Sequence, residues 1–166
     1  MNKINILMTE SPHADAYATE GYKKHCIMCP QYEDSLIKTA YKINKGTNNH
    51  YQFNFILDDV VSARQSKQLK NLLTVFRNSQ IGCVISGQGV TMLPPIARSN
   101  VNIVMLGRVN NDYEAENIVK SFLMSFFPSD MKMVDRIKQY REITKDHHFI
   151  VLNNLTDEVF ITKLKV

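Results

Sequence analysis

The stretch from Tyr51 to Asp59, YQFNFILDD, constrains this chain more than any other. Its alternation reads as a strand, with Phe53, Phe55 and Leu57 on one face and Asn54 and Ile56 on the other. The strand runs straight into two consecutive carboxylates, Asp58 and Asp59, where a sheet would meet water. Paired acids at such a point can hold a hydrated Mg²⁺ and orient a water molecule. The same residues also simply start a turn at the end of many strands.

The flanking segments decide what sheet this strand joins. Lys3–Met8 is a short apolar strand, and the polar run Thr9–Lys24 with Pro12 and Gly21 reads as a loop. Glu33–Lys45 places Leu36, Ile37, Ala40, Tyr41 and Ile43 near helical spacing, with Gly46 as a stop. Ser62 can cap a helix from Ala63 to about Asn78, with Leu69, Leu72, Leu73 and Phe76 as its apolar stripe. Ile81–Ser86 and Val101–Leu106 are further apolar strands, separated by Gly87-Gln88-Gly89 and Leu93-Pro94-Pro95. Tyr113–Phe127 is amphipathic, capped by Asn111 or Asp112, with Ile118, Phe122, Met124 and Phe126 as its core stripe. Ser129 or Asp130 can cap a last helix to about Thr144, and Phe149–Val166 reads as a hairpin around Asn153-Asn154. Apolar strands alternating with helices predict an α/β fold, three layers around a mostly parallel sheet.

A chain of 166 residues fits one domain with a real core. A hydrophobic content of 44% and charged content of 22% place it among soluble globular proteins rather than disordered or membrane chains. No apolar run approaches the roughly 18–20 residues needed to cross a bilayer, so no membrane partner is expected. The net charge of +4 permits contact with DNA without demanding it. Three cysteines make no disulfide framework, and the expected compartment is the cytoplasm.

Chemistry converges on the carboxyl ends of the strands, where ligands bind in open α/β sheets. Asp58 and Asp59 close one strand, Gln88 follows the next after one glycine, and Arg98 lies ten residues further on. Two acids, an amide that can sense a terminal phosphate and a guanidinium that can stabilise transferring charge form a coherent hydrolytic set. His25-Cys26-Ile27-Met28-Cys29-Pro30 contains C-x-x-C, but a second ligand pair is missing and Cys83 lies within an apolar strand. The cysteines therefore read as small apolar residues, and His147-His148 as a solvated turn.

The residues Phe55–Val60 (FILDDV), Leu72–Gln88 (LLTVFRNSQIGCVISGQ) and Leu93–Leu106 (LPPIARSNVNIVML) resemble the FtsK–HerA superfamily of P-loop ATPases. The nearest branch is the genome-packaging ATPases of large DNA viruses and virophages. The resemblance implies a Walker B strand with Asp58 as the Mg²⁺-linked acid and Asp59 as the acid that polarises water. It likewise implies a sensor role for Gln88, an arginine before that strand at Arg77, and an arginine finger at Arg98. Lys3–Tyr17 resembles the strand and loop that this family places after its P-loop helix. The implied cofactors are ATP and Mg²⁺, and the implied partners are DNA, a capsid component, a full-length ATPase or further copies of the chain.

The chain departs from that family in one respect: it contains no G-x-x-x-x-G-K-[ST]. A triphosphate loop needs glycines so that successive amides point inward, with a Lys and a hydroxyl to complete the shell. Tyr22-Lys23-Lys24 does not supply that geometry. The expectation is thus one partial domain, residues 1–110 forming the ATPase-like core, truncated at the P-loop strand and helix. Without that strand, Ile81–Ser86 and Val101–Leu106 are expected to pair directly or to leave an edge for association. Two functions stay open, a DNA-packaging ATPase or part of one, and a nucleotide-incompetent assembly module. The elements alone also fit a flavodoxin-like domain.

Overall fold

The computed structural model describes residues 2–12, 14–17, 24–59 and 66–164. The chain divides into two compact units, Met1–Gln88 with Met92–Ala97, and Gly89–Thr91 with Arg98–Val166.

The first unit is built on four parallel strands, β1 (Asn2–Thr9), β2 (Cys26–Cys29), β3 (Tyr51–Asp58) and β4 (Ile81–Ser86), in the order β2-β1-β3-β4. Period-two alternation puts Ile6, Met8, Phe53, Phe55, Leu57 and Ile81 on one face, where they meet the helices Asp34–Gly46 and Lys67–Thr74. Ile37 and Ala40 come from the first helix, Leu69 and Leu72 from the second, and Tyr41 stacks on Phe76 with ring centroids 4.3 Å apart. Phe55 and Leu57 are fully buried, and each contributes about 2–3 kcal/mol by leaving water. The opposite face carries the amides expected there, with Asn54 Nδ2 donating to Asn5 Oδ1 at 2.9 Å.

The helix after the acidic pair is capped one turn later than the sequence suggests. Ser66 Oγ accepts from the Leu69 amide at 3.0 Å, while Ser62 and Ala63 lie outside the described residues. Ser66 is also shared with Tyr32 Oη at 2.8 Å and Asp34 Oδ1 at 2.5 Å, so one hydroxyl ties the two helix starts together. The helix ends in a 3₁₀ turn, Phe76–Ser79, and Gln80 reverses the chain with φ 54°.

The second unit is an antiparallel sheet, β5 (Ile103–Leu106), β6 (His148–Asn153) and β7 (Glu158–Lys163), in that order. The expected hairpin is therefore present. Direct pairing of Ile81–Ser86 with Val101–Leu106 is not: β4 pairs with β3, and β5 pairs antiparallel with β6. Hydrophobic sequence marks β5 as a buried strand but carries no information about its partner or direction.

Asn111 caps the helix Asp112–Ile118, its Oδ1 accepting from the Glu114 amide at 3.2 Å, and the helix widens into a π segment, Val119–Leu123. Ala115, Ile118, Val119, Leu123 and Phe127 are buried there, and Phe122 and Phe126 pack against that core as expected, whereas the change of pitch leaves Met124 exposed. The next helix, Met133–Ile143, begins at Lys132 without a side-chain cap, not at Ser129 or Asp130. The Pro128 and Ser129 carbonyls instead accept from the buried Arg136 guanidinium at 2.8 and 3.0 Å.

Candidate functional site

Parallel register carries three polar residues to one level at the carboxyl end of the first sheet. Thr9 pairs with Asp58, and Asp58 pairs with Ser86, each at the last position of its strand. Thr9 is fully buried and its Oγ1 accepts from the Ser11 amide at 3.1 Å, which starts the loop leading to the 3₁₀ turn Asp15–Tyr17. From that turn the Tyr17 hydroxyl donates to Asp58 Oδ2, and the Ser86 hydroxyl donates to Asp58 Oδ1. Both oxygens of the first acid are thus met by hydroxyl donors from the two neighbouring chain segments.

Asp59 leaves the strand direction. Its φ of 50° is left-handed, a conformation that Asp tolerates better than most residues, and its amide donates to the Ser86 carbonyl at 3.2 Å. The turn aims its carboxylate at the loop after β4, where Gln88 Nε2 donates to Asp59 Oδ2 at 2.9 Å. The first unit therefore brings Asp58, Asp59 and Gln88 into one hydrogen-bonded group. Arg98 is a residue of the second unit, at the end of the short helix Pro95–Arg98, and its Nη1 donates to Ser121 Oγ at 3.3 Å. The side chain of Arg77 and the residues His13, Gly21, Tyr22 and Lys23 lie outside the described residues.

Three participants carry no signal in the sequence, namely Thr9, Tyr17 and Ser86. A hydroxyl residue at a strand end or in a polar loop is common, and only the register makes these three converge.

The donor set suits a hydrated divalent cation in part. Mg²⁺ keeps several waters and is held through one or two carboxylates together with substrate phosphates, and Asp58 beside Ser86 offers such a carboxylate. Nothing in the chain's sequence supplies the glycine-rich loop and lysine that hold the phosphates themselves.

The C-x-x-C pair lies on β2, where a spacing of three puts Cys26 and Cys29 on opposite faces, so their thiols do not converge. Burial, with Glu33 adding to it, pushes the Cys29 thiol up, and burial pushes Cys83 up to about 12. All three cysteines are free. Among the described residues no helix is long and apolar enough to cross a membrane.

A parallel sheet with an acidic pair and a glutamine at its carboxyl edge belongs to the class of open α/β folds, whose ligands bind outside the carboxyl ends of the strands. Solved structures sharpen that class: the chain has the fold of viral genome-packaging NTPases. It is similar to B204, the DNA-packaging ATPase of Sulfolobus turreted icosahedral virus, with 14% identity, a TM-score of 0.66 and coverage of 98% of this chain and 84% of that one. It is also similar to the genome-packaging NTPase B204 of Sulfolobus turreted icosahedral virus 2. The complex of that protein with ATPγS gives 13% identity, a TM-score of 0.68 and coverage of 98% and 83%. The AMP complex gives 12% identity, a TM-score of 0.62 and coverage of 99% and 98%. No family model matches the sequence, and no curated protein matches it.

Proposed function

We propose that this chain is a relative, or a part, of a viral DNA-packaging ATPase, in which Asp58, Asp59 and Gln88 form the acidic and sensor side of the nucleotide site. In that role Asp58 holds Mg²⁺ through its water shell, Asp59 polarises the attacking water and Gln88 reads the terminal phosphate, while Arg98 reaches into a neighbouring subunit's site to stabilise the transferring charge. The observation that carries the reading is the Asp59–Gln88 contact at 2.9 Å beside the Thr9–Asp58–Ser86 row, set in a fold shared with B204 along 98% of the chain. DNA, a capsid component and further copies of the chain are the partners such a motor requires.

The missing G-x-x-x-x-G-K-[ST] and the engagement of both Asp58 oxygens by Tyr17 and Ser86 favour a specific form of this role. The isolated chain acts as an ATPase-like module that does not turn over ATP alone and docks on an ATPase, DNA or capsid protein. Steady-state phosphate release with ATP and Mg²⁺ tests this directly. The expected result is turnover indistinguishable from that of Asp58→Asn. Turnover in the native chain that disappears in Asp58→Asn refutes the incompetent module and leaves the packaging ATPase.

A further inference from the structure

β7 is an edge strand whose apolar side chains are exposed on both faces. Among the described residues it has a strand on one side only, β6, and Val159, Phe160 and Ile161 are 48%, 49% and 52% exposed. A bare edge with this composition is a template for another strand, which soluble chains usually blunt with charge, proline or a bulge. The Glu158–Lys163 segment carries none of these in its middle.

The hydrogen-bond phase shows which groups point outward. The Leu164 amide donates to the His147 carbonyl at 3.1 Å, so Leu164 faces β6, and by alternation Thr162, Phe160 and Glu158 do as well. The amides and carbonyls of Val159, Ile161 and Lys163 therefore point away from the sheet. An antiparallel copy related by a two-fold axis normal to the sheet can meet them in a register centred on Phe160. Val159 then lies opposite Ile161 of the copy, and the reverse, giving about four main-chain hydrogen bonds. The two Phe160 side chains meet in the closer, non-hydrogen-bonded pair.

Two features favour that register over its neighbours. It brings Asp157 of each copy next to Lys163 of the other, so opposite charges meet at both ends of the paired strands. It also joins two apolar rows into one. Phe160 shares a sheet face with Val151 and Met105, which pair across the sheet, and Met105 is 48% exposed. On the other face, Val159 and Ile161 gain β-branched cross-strand partners. We propose that β7 pairs with β7 of a second copy in this register, forming a continuous six-stranded antiparallel sheet.

Sedimentation velocity of the native chain from about 10 µM to about 1 mM tests this, since an edge-only contact is small and weak. The expected result is a concentration-dependent dimer. In the dimer the Val159, Ile161 and Lys163 amides become protected from hydrogen exchange, whereas the inward Phe160 and Thr162 amides are protected at every concentration. Ile161→Pro removes an outward amide, which an edge strand tolerates, and abolishes the dimer while circular dichroism stays native. Lys163→Asp sets like charges together at two places and weakens the dimer about tenfold. Adding Asp157→Asn, a residue that keeps the left-handed turn at φ 56°, recovers most of that loss. A monomer across the whole range overturns the proposal, and so does a dimer in which the outward amides of β7 exchange freely or Ile161→Pro has no effect.

Discussion

Ser66 is the residue that joins the starts of the helices Asp34–Gly46 and Lys67–Thr74, and Ser66→Ala measures that junction. The substitution removes the helix cap on the Leu69 amide, which costs about 1 kcal/mol. It also removes the partner of the Tyr32 hydroxyl and a donor to Asp34, contacts of 2.8 and 2.5 Å in a part-buried setting, for about 1 kcal/mol more. Tyr32 and Asp34 keep contact with each other, which limits the second loss. A total near 2 kcal/mol, with a urea slope of about 2 kcal/mol/M, lowers the midpoint by about 1 M. The chain has no Trp, so far-UV circular dichroism and tyrosine fluorescence report the transition. Tyr32→Phe costs less than Ser66→Ala, and the double variant costs about 0.5–1 kcal/mol less than the sum, because each single change strands the other's partner. A shift under about 0.3 M for Ser66→Ala, or strict additivity in the cycle, refutes the idea that one hydroxyl couples the two helix starts.

Three further outcomes follow from groups elsewhere in the chain. The Cys83 thiol is raised from 9.0 to about 12 by burial, so its contribution is complete below pH 9 and is lost as pH rises through about 12. At pH 10 the loss is roughly 1 kcal/mol, and Cys83→Val flattens the alkaline limb of a urea-midpoint profile against pH. Arg136→Met strands the Pro128 and Ser129 carbonyls and costs about 2–3 kcal/mol in thermal unfolding, with Arg136→Lys recovering only part of it. A Cβ on Gly89 would lie 2.8 Å from Glu114 Oε2, so Gly89→Ala costs about 1 kcal/mol, and that cost disappears in a Glu114→Ala background.

The first unit was largely legible because its strands are short, apolar and alternating. Phe53, Phe55 and Leu57 declare a buried face, and the acids that end the strand declare its carboxyl edge. Gln88 was legible as a residue of the same carboxyl edge, since it follows β4 after one glycine, whereas its hydrogen bond to Asp59 was not. Asp58's own partners were not either. Tyr17 sits in a polar loop without periodicity, and Ser86 is indistinguishable in sequence from any serine that ends a strand. Both become site residues only when parallel register aligns Asp58 with Thr9 on one side and Ser86 on the other.

The second unit shows a different limit. Val101–Leu106 was recognisable as a strand, yet its apolar run would look the same in a parallel or an antiparallel sheet. Direct pairing with Ile81–Ser86, expected where the P-loop strand is missing, is therefore not what it adopts, and β6, 42 residues further along, is the strand that β5 pairs with at Met105–Val151 and its neighbours. The exposure of Met124 has a similar origin. A π turn adds a residue per turn, and nothing in VKSFL marks the widening beforehand. Periodicity thus reports which side chains need burial, while register and pitch decide which of them meet. The acidic pair illustrates both halves of that rule, because its position follows from one strand and its chemistry from the two strands beside it.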